Sequence, residues 1–183
     1  MRDARNLLAE PNGEDRLKRF EEAVLPHLPA ALNLARWLTR GDQNAEDVVQ
    51  EAYLRALQFF DGFLGADCRP WLLTIVRNTC YKWLRKHRSQ ELTTVFDEAI
   101  HSDPGLSTPE TLLLEAVDTQ SVKKALESLP LAFREVLVLR EIEGLSYRQI
   151  SEVTDVPIGT VMSRLARGRK RLQECLAARV KES

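Results

Sequence analysis
Between Pro157 and Leu172 the chain carries Arg164, Arg167, Arg169, Lys170 and Arg171 and no acid, with Thr160 and Ser163 among them. Long cations grip phosphates and can bond guanine. Short hydroxyls reach base edges or phosphates without adding bulk. Together these side chains suit the major groove of DNA, although the same set would serve as a solvated basic face on an ordinary helical protein.

The residues upstream favour DNA. Ser146 can cap a helix, and Gln149 three residues on completes a capping box. Ile150 and Val153 then point inward, a break falls near Asp155–Pro157, and Pro157 suits the first turn of a second helix, where its missing N–H costs nothing. The pattern is a helix-turn-helix. At 100° per residue from Pro157 onward, Ile158, Val161, Leu165, Gly168 and Leu172 form a packing face. Thr160, Ser163, Ala166, Arg167 and Lys170 fall opposite, with Met162, Arg164, Arg169 and Arg171 flanking them.

No other chemistry is visible. There is no Ser/His/Asp set, no phosphate-cradling Gly loop and no metal-ligand spacing among His27, His87, His101 and the three cysteines, Cys68, Cys80 and Cys175. No catalytic residue, metal ligand or cofactor is therefore expected, and the chain does not read as an enzyme. The odd, widely spaced cysteines fit a reduced cytoplasmic protein. Cys80 reads as a small buried thiol, with a redox role as the alternative. The N-terminus lacks an apolar signal core and no apolar run reaches 18 residues, so neither secretion nor membrane insertion is expected.

The 183 residues allow one or two small domains, and 44% hydrophobic content permits a true core. The net charge of −1 hides strong segregation. Arg69–Arg88 is basic without an acid; residues 89–118 hold seven acids and no Lys or Arg; the last helix is basic. Apolar residues recur at helical spacing and strand signals are nearly absent, so the fold is expected to be all-α: two small helical domains joined by an acidic linker, the second containing the helix-turn-helix. The expected limits are a loose leader at 1–14, a first domain at 15–88, the linker at 89–118 and a second domain at 119–178. "GDQNAED" is expected to separate the early helices from "AEDVVQEAYLRALQFF". There Val49, Ala52, Tyr53, Ala56 and Phe60 should face the core, while Asp47, Gln50, Glu51 and Leu54 share another face. In "WLLTIVRNTCYKWLRKHR", Trp71, Leu72, Ile75 and Val76 read as core, and Arg77, Lys82, Arg85, Lys86 and Arg88 as a cationic stretch suited to phosphates. Asn78 reads as an interruption between two helical stretches.

"LPLAFREVLVLREIEGLSYRQISEVTDVPIGTVMSRLARGRKRL" resembles the C-terminal DNA-binding domain of bacterial sigma factors of the extracytoplasmic function (ECF) group, in the sigma-70 superfamily. "AEDVVQEAYLRAL" resembles the helix by which their first domain docks on RNA polymerase, and "RPWLLTIVRNTCYKWLRKHR" the part that opens and reads the promoter −10 element. The three lie in order and at the right spacing from about Asp15 to Ala178.

The resemblance implies a factor that binds core RNA polymerase through its β′ clamp helices and β flap and directs promoter-specific initiation. Asp47, Gln50, Glu51 and Leu54 would bind polymerase. Phe63, Arg77, Asn78, Lys82 and Arg85 would read the −10 element, with Asn78 at a loop that captures a flipped base and Phe63 supporting that base by stacking. Thr160, Met162, Ser163, Arg164, Ala166, Arg167 and Lys170 would face the −35 element. The acidic linker would thread the polymerase's RNA path, or else be a plain tether. An anti-sigma factor is an expected partner. Two other readings are a sigma mimic that sequesters an anti-sigma factor, against which the basic surfaces argue, and a helix-turn-helix repressor, which leaves the upstream segments unexplained. Met162 departs from the family, where several members carry a basic residue; a thioether cannot donate to guanine.

Overall fold
The structure, a computed structural model, describes residues 13–63, 65, 67–87 and 119–180. The expected linker at 89–118 lies outside them, as does the expected leader up to residue 12. The chain divides into two compact units, and no strand occurs among the described residues.

Helices α1 (Gly13–Val24), α2 (Leu28–Thr39), α3 (Asp42–Phe59) and α4 (Cys68–His87) build the N-terminal half, with 3-10 turns at Leu25–His27 and Phe60–Gly62. Helix α2 stops because Arg40 turns left-handed (φ 56°) and returns its N–H to the Arg36 carbonyl at 3.0 Å. The break therefore falls at Arg40 and Gly41, and the "DQNAED" that follows is already helical. Leu34, Ala35 and Leu38 of α2 bury against a small-residue stripe on α3, Ala45, Val49, Ala52 and Ala56. Small side chains at i, i+4, i+7 and i+11 let the helices come close. Leu72, Leu73, Val76 and Cys80 of α4 are also buried.

Aromatic contacts fix the chain between α3 and α4. Phe20 meets Tyr53 and Phe60 edge-on at 6.4 and 5.3 Å, Phe60 lies 6.4 Å from Trp71, and Phe63 lies 4.9 Å from Trp71. Arg16 pins the same turn by pairing with Asp61 at 2.7 Å and donating to the Leu57 carbonyl. The Tyr53 hydroxyl donates to the Val24 carbonyl, and burial first, then the nearby Cys68 thiol, raises its pKa to about 12.

The second group of helices is α5 (Thr119–Ser128), α6 (Leu131–Leu137), α7 (Tyr147–Thr154) and α8 (Ile158–Val180), with one π-helical turn at Val138–Ile142 extending α6. Every residue from Leu131 to Leu139 is buried, Arg134 and Glu135 included. Arg134 Nη1 donates to the carbonyls of Glu127 at 2.9 Å and Leu129 at 3.4 Å, tying α6 to the end of α5. Gly144, at φ 68°, ends the π turn, and Leu145 N–H reaches back to Leu139 O at 2.9 Å, a helix stop that favours glycine.

Helix α8 crosses α6 at Gly168. A Cβ there would lie 3.1 Å from Leu137 Cδ1 and 3.3 Å from Phe133 Cβ. Gly168→Val should therefore destabilise the second unit by about 1–3 kcal/mol through overpacking. Gly168→Ala should cost less, because alanine regains about 1 kcal/mol of helix propensity. Urea unfolding followed by circular dichroism measures both, and a valine variant as stable as the parent would contradict this packing.

Candidate functional site
The capping box forms as expected. Ser146 N–H donates to Gln149 Oε1 at 2.9 Å, and Gln149 N–H donates to Ser146 Oγ at 3.2 Å. Ile150 and Val153 are fully buried. Asp155 then turns left-handed (φ 54°), a conformation Asp tolerates better than most residues, and the Ser151 hydroxyl donates to Val156 O at 2.6 Å to hold the turn. The Val161 N–H closes on the Pro157 carbonyl, and α8 begins.

Val161, Leu165 and Gly168 of α8 are buried, while Met162, Ala166 and Lys170 are exposed and Thr160, Ser163, Arg164 and Arg167 half-buried. The predicted reading residues thus lie off the packing face. Not all are equally ready. Arg167 folds back on its own helix, with Nε and Nη2 each 3.4 Å from Ser163 oxygens and its guanidinium 5.8 Å from the Phe133 ring. The Ser163 hydroxyl donates to Thr160 O at 3.0 Å. Arg169, expected on the flank of the exposed arc, is committed to Glu141: Nη2 lies 2.6 Å and Nε 3.1 Å from the same carboxylate oxygen. That bond, ahead of the smaller opposing effect of burial, raises its pKa further.

Ile158 departs from expectation. It is 45% exposed rather than packed. It stands at the first position of α8, where the buried stripe that starts at Val161 has not yet begun, so its angular position alone does not bury it.

On α3, Asp47, Gln50 and Glu51 are exposed, and Leu54 is 49% exposed beside them. Val49, Ala52 and Ala56 are buried, and Tyr53 and Phe60 half-buried, as the spacing required. Glu51 is not a free carboxylate. Its Oε1 lies 2.6 Å from Arg55 Nη2 and 3.6 Å from Lys82 Nζ, so it joins the predicted docking face to α4.

Asn78 is not a break. Helix α4 runs through it without interruption. A single Asn costs only a few tenths of a kcal/mol relative to other ordinary residues in a helix, and the buried Val76 and Cys80 on either side hold the helix together. Its Oδ1 accepts from Arg77 Nη1 at 3.3 Å, and Arg77 lies 4.3 Å over the Tyr81 ring. The interruption lies upstream, between α3 and α4. There Phe63 is half-buried against Trp71, and a Cβ on Gly65 would stand 2.8 Å from its ring. Trp71, Asn78, Lys82 and Arg85 share one face of α4 at i, i+7, i+11 and i+14, so aromatic and cationic groups line up there. Arg77 lies off that face.

Cys68 and Cys80 are buried and Cys175 is half-buried. Among the described residues no group of His, Cys, Asp and Glu is arranged to hold a metal ion, and no helix is long and apolar enough to cross a membrane.

The model of sigma-70 region 2 matches residues 23–90, and that of sigma-70, region 4 matches residues 119–172. The ECF RNA polymerase sigma-E factor of Escherichia coli (strain K12) is 37% identical over 152 residues, covering 79% of this chain and 78% of that protein. The chain belongs to the ECF sigma factors of the sigma-70 family. An ECF sigma factor acts with RNA polymerase in promoter-specific transcription initiation and is not an enzyme. Among solved structures, the sigma factor RpoE of Bartonella quintana, in complex with the anti-sigma factor NepR, is 32% identical with a TM-score of 0.68, covering 87% of this chain and 98% of that one. CnrH, in complex with the cytosolic domain of CnrY, is 25% identical with a TM-score of 0.65, covering 96% and 99%.

In this ECF sigma factor the Arg169–Glu141 pair is intramolecular, so Arg169→Ala should cost at most about 1 kcal/mol of stability, as half-exposed pairs do. Base preference at the −35 element should be unchanged. Unfolding and promoter selection with the variant check the two halves separately; an altered preference would place Arg169 on DNA.

Proposed function
We propose that three faces divide the work of this sigma factor. The α3 face of Asp47, Gln50, Glu51 and Leu54 docks on the β′ clamp helices of core RNA polymerase. Asn78, Lys82 and Arg85 of α4, with Phe63 on Trp71 and Arg77 nearby, engage the −10 element. The α8 residues Thr160, Met162, Ser163, Arg164, Ala166, Arg167 and Lys170 face the −35 major groove, with the second unit against the β flap. The observation that carries this reading is the segregation on the first four turns of α8, where a buried stripe of Val161, Leu165 and Gly168 backs a surface of cations and small side chains with no acid before Leu172. Domain limits of 15–88 and 119–178, an acidic linker between them in the polymerase's RNA path, a cytoplasmic location and control by an anti-sigma factor belong to the same reading. Run-off transcription with core polymerase and a genomic promoter library tests it. Promoter-specific transcripts support it, whereas DNA binding without polymerase-dependent initiation points to a repressor and binding to neither points to a mimic.

Replacing Asp47, Gln50 and Glu51 together by Ala should weaken core binding. Stability should fall by no more than about 1 kcal/mol, since the pairs that Glu51 loses are at the surface. Unchanged affinity for core polymerase in the triple variant would move the docking face elsewhere.

On α8 the two long cations should behave differently. Lys170 is exposed and suits a phosphate, so Lys170→Ala should weaken all promoters alike and reduce the salt slope by about 1. Arg167 can swing from Ser163 to a base edge, and Arg167→Ala should cost ~1–3 kcal/mol at one −35 position. Salt titrations on matched and mismatched promoters separate these outcomes. A uniform, salt-dependent loss in Arg167→Ala would make it a phosphate contact.

A further inference from the structure
Ile158 and Met162 are 45% and 52% exposed. They stand four residues apart, and Ala166, also exposed, continues the row after another four. Gly159 lies beside them, and a Cβ there would meet nothing within 4 Å. The row is therefore a low, apolar strip about 12 Å long that winds from the edge of the packing face at Ile158 to the outer side of α8 at Ala166. On one side it is bordered by Ser163 and Lys170, and on the other by the Arg169–Glu141 pair.

An apolar strip on a charged helix needs an occupant that meets both characters. Five cations and no acid lie between Pro157 and Leu172, so the partner surface is strongly anionic. Neither the Ile158 nor the Met162 side chain has an N–H or O–H, so neither side chain can read guanine O6 and N7. In the major groove of DNA the apolar feature of an unmodified base edge is the C5-methyl group of thymine. Methionine, unbranched and soft, can adapt to a methyl at more than one height in the groove.

We infer that the strip of Ile158, Met162 and Ala166 reads thymine methyl groups in the −35 element. This specificity contact rests on the reading of α8 as the −35 helix. Sequence preference then comes partly from burying a methyl group, where a basic residue in place of Met162 would instead seek a hydrogen-bond acceptor.

The test removes the methyl and nothing else. The full chain is assembled with core polymerase, and the preferred −35 element is selected from a promoter pool randomised there. Each thymine of that element, on both strands, is then replaced singly by deoxyuridine, which keeps every hydrogen-bonding group. At one position or more the wild-type holoenzyme should bind about fourfold more weakly, the effect of losing one buried methyl group. The Ile158→Ser, Met162→Ser double variant should bind thymine and deoxyuridine promoters equally. Met162→Arg should shift the selected base towards guanine and weaken the dependence on the methyl. Wild-type binding that is unaffected by deoxyuridine at every position, or a selected element without thymine on either strand, overturns the inference while leaving −35 recognition intact. A pool that yields no −35 preference at all removes the reading of α8 on which the inference rests. The wild-type comparison involves no substituted protein, so misfolding of a variant cannot decide the result.

Discussion

Everything that α8 can present to a ligand depends on how closely it lies against α6. Gly168 sets that distance: with hydrogen in place of a side chain, the helix settles against Leu137 and Phe133. Val161 and Leu165, both buried, then leave one angular setting for the helix. Side-chain direction on a packed helix follows from that setting. The capping box and the left-handed Asp155 determine where the helix begins, and Gly168 determines how far it stands from the core. Together they place Met162, Ala166 and Lys170 outward.

The first unit has a comparable constraint in its charges. Glu51 lies on the face assigned to polymerase and Lys82 on the face assigned to DNA, yet they are 3.6 Å apart. Arg55 shares the same carboxylate. The two proposed surfaces are therefore electrostatic neighbours, and a cationic partner drawn to Glu51 would compete with Lys82 for it. At exposures of 49% and 62% the pair is weak and salt-sensitive.

How far the sequence foretold this arrangement depends on the range of the forces involved. The capping box was legible because its partners are three residues apart, and the α3 stripe because small apolar residues recur at helical spacing. Asn78 was misread because a modest local preference was weighed without the packing of Val76 and Cys80, which overrides it. Ile158 was misread because helical angle predicts direction but not whether a neighbour is present. The Glu51–Lys82 and Arg169–Glu141 pairs join residues 31 and 28 positions apart, and such contacts leave no local pattern. The π turn at Val138–Ile142 was hidden in a run that reads as continuous helix. The family resemblance supplied the roles that periodicity could not.

The guanidinium of Arg134 is fully buried within α6 and donates to carbonyls of Glu127 and Leu129. Transferring such a charge from water is costly unless its bonds are replaced. Helix α5 is thus a structural part of the second unit as well as the chain's route into it. Dissection of the protein must respect this. A fragment cut after Ser128, although it would keep the whole helix-turn-helix, would strip the arginine of the Glu127 carbonyl and open to water the side of α8 that α5 packs against. The smallest piece able to stand alone is therefore larger than the helix-turn-helix.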